Sequence, residues 1–152
     1  MSEWYRKVTS DLAELGAATT HFEREIEQAK YECSMKGNLE RQSRDMPGIV
    51  EHRFNQLQEV EAILEHLHTE MRKTRSQLFR KYFEAYNRAL SAREAEKYVD
   101  GENDVVVLQY LINDFSLVRN KFLGVIKALE AKQFQINNIV KLRAAGLEDI
   151  SL

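Results

Sequence analysis

From Ile49 onward, apolar residues recur on a seven-residue spacing that confines the backbone to one kind of structure. Val50, Leu57, Leu64, Met71 and Leu78 are each seven apart, and Val60 and Leu67 fill the intermediate position. A residue every 3.5 positions returns to the same side of a slightly underwound α-helix, so these side chains form one seam that is buried only against another helix. The seam predicts an all-α fold, an elongated helical hairpin or bundle with coiled-coil character. Further along, the intermediate position becomes Thr74 and then Lys81. Half of the seam's apolar character is lost there, and the helix is expected to pass from packing to facing solvent or a ligand.

Ahead of the seam, Trp4, Val8, Leu12, Leu15, Phe22, Ile26 and Ala29 recur at spacings of three, four or seven. They predict a first helix from Trp4 to about Cys33, with Glu14, Glu23, Glu25 and Glu27 on its outer face and a kink or break at Gly16 or at Thr19-Thr20-His21. Residues 34–48 hold a glycine, the single proline and few apolar positions, which reads as a connector or partly helical linker. The chain therefore divides into an N-terminal helix and linker (1–48) and a second helical region (49–152) that makes one domain with that helix. Residues 92–99 predict a short helix after Ser91, closed near Gly101, and Asn103 or Asp104 is placed to cap the next one. That next helix has a wide apolar face running from Val105 through Leu108, Ile112, Phe115, Val118, Phe122 and Ile126 to Leu129. So broad a face needs cover on more than one side, either from this chain or from a neighbouring subunit. Residues 133–145 predict a last helical or irregular docking segment ended by Gly146, and the short acidic tail after it is expected to be loose.

The 152 residues suit one domain, and no apolar run approaches the roughly 20 residues that cross a bilayer. The N-terminus lacks the apolar core of a secretory signal. Cys33 is the single cysteine, so an intrachain disulfide is impossible, and the expected setting is the cytoplasm. Glu32 beside it disfavours the thiolate.

The formal net charge is only -2, yet residues 71–93 collect Arg72, Lys73, Arg75, Arg80, Lys81, Arg88 and Arg93 against one acid, Glu84. Phe79, Tyr82, Phe83 and Tyr86 are threaded between them. Cations beside stacking rings are the footprint of a nucleic-acid backbone. A solvated basic flank whose rings turn into a core has the same composition. Chemistry of other kinds leaves little trace. The six glycines are scattered singly, so no phosphate loop is present. His66 and His68 are about 160° apart on a helix, the wrong placement for joint metal ligation, and His52 adds nothing that repairs it. No catalytic carboxylate pair or nucleophile stands out, and the chain reads as a binding protein with no cofactor or metal rather than as an enzyme.

The order of features in the C-terminal half resembles the UvsY family of phage recombination mediators. A basic helix runs into LFRKYFEAY (78–86), followed by the short helix and turn AEKYVDGENDVV (95–106), the long apolar helix FSLVRNKFLGVIKALEAK (115–132) and QFQINNIV (133–140). Phe134, Gln135 and Ile136 stand where the family's closing signature resembles Phe-Gln-Ile. The chain departs from the family at Tyr82-Phe83-Glu84-Ala85, where a Tyr-Tyr-x-Gly turn is usual, and at Asn137, where a lysine is usual. The resemblance implies a small helical protein that forms a ring-like homo-oligomer of six or seven subunits, binds single-stranded DNA, and helps a RecA-like recombinase displace the single-strand-binding protein without hydrolysing ATP. It implies a host-cell cytoplasmic setting. By position, Arg72, Lys73, Arg75, Arg80 and Lys81 would hold the strand, with Arg88 extending the line and Tyr82 as a stacking ring. Phe115, Phe122, Ile126, Phe134 and Ile136 would lie in the core or between subunits. The alternative is a structural or adaptor coiled-coil protein that binds another protein and no nucleic acid.

Overall fold

The computed structural model describes residues 3–85 and 89–147. In chain order the helices among them are α1 (Glu3–Ser10), α2 (Leu15–Glu32), α3 (Leu39–Glu84), α4 (Ala92–Gly101) and α5 (Asn103–Ala144), with a 3-10 turn at Leu12–Glu14. No strand occurs among the described residues. The architecture is all-α, as the seam predicts.

The heptad seam lies on α3, whose 46 residues extend about 69 Å at 1.5 Å per residue. Its partner is α5, 42 residues long and the helix with which α3 shares most of its packing. Leu57, Val60, Leu64, Leu67 and Met71 are buried in that seam, and Val50 and Leu78 close its ends half-buried. From α5 come Val105, Leu108, Ile112, Phe115, Val118, Phe122, Val125, Leu129 and Ile136. The breadth of this face is explained within the chain, because α2 and α4 also pack on α5. Phe22 of α2 meets Phe115 and Phe122 edge-on, at 6.2 and 6.0 Å between ring centres. Edge-to-face pairs of this kind add about 0.5–1.5 kcal/mol each beyond the area that they bury.

Three local expectations are corrected. The break in the first helical segment falls at Asp11, ahead of Gly16 and Thr19-Thr20-His21. Asp11 is extended, and its carboxylate accepts a hydrogen bond from the Ala13 amide at 2.9 Å, which starts a new turn. Thr19 and Thr20 instead donate back to the carbonyls of Leu15 and Gly16 and stay in the helix. Residues 34–48 hold a connector only over 34–38, and 39–48 are the first turns of α3. Gly37 turns the chain with φ +102, a backbone angle that an L side chain rarely adopts, and Asn38 accepts from the Arg41 amide to cap α3. Pro47 removes the donor for the Ser43 carbonyl, and both residues lie on the exposed side of the helix, while buried Met46 anchors the same turn. The division at 48/49 thus falls inside α3. Finally, the residue flanking α5 is Glu102, not Asn103 or Asp104, and its side chain is directed to α3 instead of capping.

The other two ends follow the sequence. Ser91 and Glu94 form a reciprocal capping box on α4. Gly146, at φ +68, ends α5 in a Schellman motif in which the Leu147 amide donates to Leu142 and the Gly146 amide to Arg143. The segment after Lys132 is therefore a continuation of α5. The acidic tail, Tyr86 and Arg88 lie outside the described residues.

Candidate nucleic-acid interface

The basic stretch occupies the last four turns of α3, and its side chains divide by direction. Met71, Thr74, Arg75, Leu78, Phe79 and Tyr82 are buried or half-buried, whereas Arg72, Lys73, Ser76, Arg80 and Phe83 are exposed. At 100° per residue these five fall within an arc of about 100°, and Gln77, Lys81 and Glu84, exposed as well, widen it to about 180°. The expected handover from packing to solvent is therefore incomplete: the packing side persists to Tyr82, because α4 covers it where α5 begins.

That cover is held by charge. Arg75 donates to Asp100 of α4 at 2.6 Å. Lys81 lies 3.4 Å from Glu102 and 5.3 Å above the Tyr82 ring. The Tyr82 hydroxyl donates to the same Glu102 carboxylate, and its ring stacks on Tyr98 at 5.3 Å between centres. The hydrogen bond from Tyr82 and the charge of Lys81 hold the Glu102 carboxyl below the usual carboxylate range. Tyr82 is thus committed to α4. Arg75 and Lys81 serve the same tie.

On the exposed arc, Arg72 reaches Glu65 at 3.1 Å and Lys73 reaches Glu70 at 2.6 Å. Four of the cations singled out from sequence therefore have a carboxylate neighbour. These pairs are solvated, and surface pairs contribute about 0–1 kcal/mol each, so a phosphate can replace the carboxylate at small cost. Arg80 is exposed with no carboxylate partner among the described residues. Three residues on, the Phe83 ring is 50 % exposed and stacks on Phe79 at 5.4 Å with 13° between the planes.

Of the residues expected in the core or between subunits, Phe115, Phe122 and Ile136 are buried within the chain and Ile126 is half-buried. Phe134 is 63 % exposed. Tyr110 and Leu117, seven apart on α5, are exposed as well, with Val107 one turn before them.

Sequence reading missed two buried cations among the described residues, Arg53 and Lys132. Arg53 occupies the intermediate position of the seam, seven before Val60, and is 2 % exposed. It donates to both oxygens of Glu32 at 2.8 Å, to Glu25 at 2.7 Å and to Gln56 at 2.8 Å. Lys132 completes the cluster by donating to the Glu32 carbonyl at 2.6 Å, at the C-terminus of α2 where a cation is favoured. Burial raises the Glu25 carboxyl, but hydrogen bonds from Gln56 and Arg53 and the Arg53 charge outweigh it and leave it below the ordinary value. A cation inside an apolar heptad was the available signal. Burial, with Glu32 beside it, pushes the Cys33 thiol up.

No family model, curated protein or solved structure matches this chain.

Proposed function

We propose that this chain is a single-stranded DNA-binding recombination mediator of the UvsY type, acting as a homo-oligomer beside a RecA-like recombinase and the single-strand-binding protein. The observation that carries the proposal is the exposed arc of α3, which aligns Arg72, Lys73 and Arg80 with an unburied ring, Phe83. Cations along a line with an aromatic beside them suit a strand whose phosphates are held and whose bases are splayed. The order of sequence features shared with the UvsY family supplies the role beyond binding. A few phosphate contacts give modest affinity, and repeating the arc around a ring of six or seven subunits would raise it by effective concentration. Exposed Tyr110, Leu117 and Phe134 on α5 are the apolar surface available for such assembly. The site of action in this proposal is the host-cell cytoplasm.

Labelled oligo-dT tests the proposal. The protein should bind at low salt and weaken steeply at moderate salt, and the triple change of Arg72, Lys73 and Arg80 to Ala should abolish binding while light scattering reports an unchanged assembly. Absence of binding in both buffers would overturn it. A second reading is favoured by a specific observation, the carboxylate beside each of Arg72, Lys73, Arg75 and Lys81. On that reading the cations solvate and brace a coiled-coil adaptor that binds another protein.

A further inference from the structure

Two aromatic stacks stand at the end of α3, and they differ in what remains of them for a ligand. In the first, Tyr82 is half-buried, its ring lies against Tyr98, and its hydroxyl is engaged by Glu102. A base arriving there would have to displace the contacts that join α3 to α4. In the second, Phe79 is half-buried and backs Phe83, whose own ring keeps half of its surface in water. The near-parallel Phe79 ring and the helix backbone restrict Phe83, so little ordering remains to be done when a flat ligand adds to the stack. Arg80 lies one turn before Phe83 on the same exposed arc, and Arg72 and Lys73 follow two turns further back.

From this geometry we infer that Phe83, rather than Tyr82, is the base-stacking residue of the site, and that its ligand is an unpaired nucleobase whose adjoining phosphate is held by Arg80. The inference rests on the single-strand reading above and sharpens it. An apolar ring has no hydrogen-bonding group to tell one base from another, so the contact accepts any base and discriminates instead between a strand that carries bases and one that does not. A duplex, whose bases are already stacked and paired, has no base to offer the ring.

The test compares oligo-dT with an abasic phosphodiester of the same length at one low salt concentration, for the full chain and its Phe83→Leu and Phe83→Trp variants. Leu keeps an apolar side chain at a half-exposed position, and a thermal melt matched to the parent confirms that the fold is retained. The parent should prefer oligo-dT to the abasic strand by about tenfold, the order that one stacked base contributes. Phe83→Leu should remove that preference and leave abasic binding unchanged, and Phe83→Trp should restore it with fluorescence quenched by oligo-dT. If Phe83→Leu binds both strands as the parent does, the stacking role is overturned and strand binding stands. If the parent binds neither strand, the single-strand reading fails and the stacking role with it. Retention of the preference in Phe83→Leu with loss in Tyr82→Phe would transfer the role to the other stack.

Discussion

Arg53 and Arg72 lie on one helix, yet their surroundings give the same guanidinium opposite uses. Arg53 is enclosed by α2 and α5 and spends its donors on Glu25, Glu32 and Gln56. Arg72, about five turns later, touches Glu65 and Thr69 and otherwise faces water. A charge withdrawn from solvent must be matched group by group, and so it fixes which helix docks and in what register. A charge left in solvent is matched loosely and stays exchangeable for a polyanion. The third helix decides between the two, because α2 covers α3 at Arg53 and does not extend to the basic arc.

The contrast is broken most severely at its buried end. Arg53→Ala should destabilise the fold by about 3–5 kcal/mol, since Glu25 and Glu32 would keep their charge without a partner. Chemical denaturation would show this as a lower midpoint. Replacing Arg53, Glu25 and Glu32 together by Met, Leu and Leu should recover most of the loss; failure to do so would assign the cluster a stabilising role beyond pairing. At the exposed end the expected effect is on binding. With three phosphate contacts, at Arg72, Lys73 and Arg80, and a slope of roughly -0.7 per contact, raising salt from 50 to 200 mM should weaken oligo-dT binding roughly twentyfold. The melting temperature should hardly respond to the same change.

Acid supplies a third comparison. The Glu25 carboxyl titrates below its ordinary value in the folded chain, so its contribution to stability is complete above the unfolded carboxylate pKa and is lost as pH falls through the lower, folded one. Glu25→Gln should therefore flatten the acid side of the stability-against-pH curve. The smallest effect is expected at α4, whose capping box fixes the helix that braces the basic arc. Ser91→Ala should cost about 1 kcal/mol, read as a small drop in melting temperature.

Much of this was legible in the chain. Period alone located the seam on α3, and Gly146 and Ser91 marked ends that the backbone honours. Misreadings arose where a local signal met a tertiary one. Pro47 suggested a linker, but buried Met46 holds its turn of helix against the core, and an exposed Pro is tolerated there. Asn103 is a good cap by type, yet Glu102 takes the flanking position while its carboxylate is drawn to Tyr82. The arc of Arg72, Lys73, Arg80 and Phe83 could be placed on one side of a helix from spacing alone. Which cations of the stretch turn inward could not.

Sequence by itself determined that the chain is helical, that one long helix carries a heptad seam and another a wide apolar face, and that cations and rings concentrate at the end of the first, because period and composition act through neighbours a few residues away. Tertiary structure alone decided that Arg53 is buried, that Arg75, Lys81 and Tyr82 brace α4, and that Arg80 and Phe83 stay open. Those outcomes depend on which helix covers each turn of α3, and the covering residues lie 20 or more positions away in the chain.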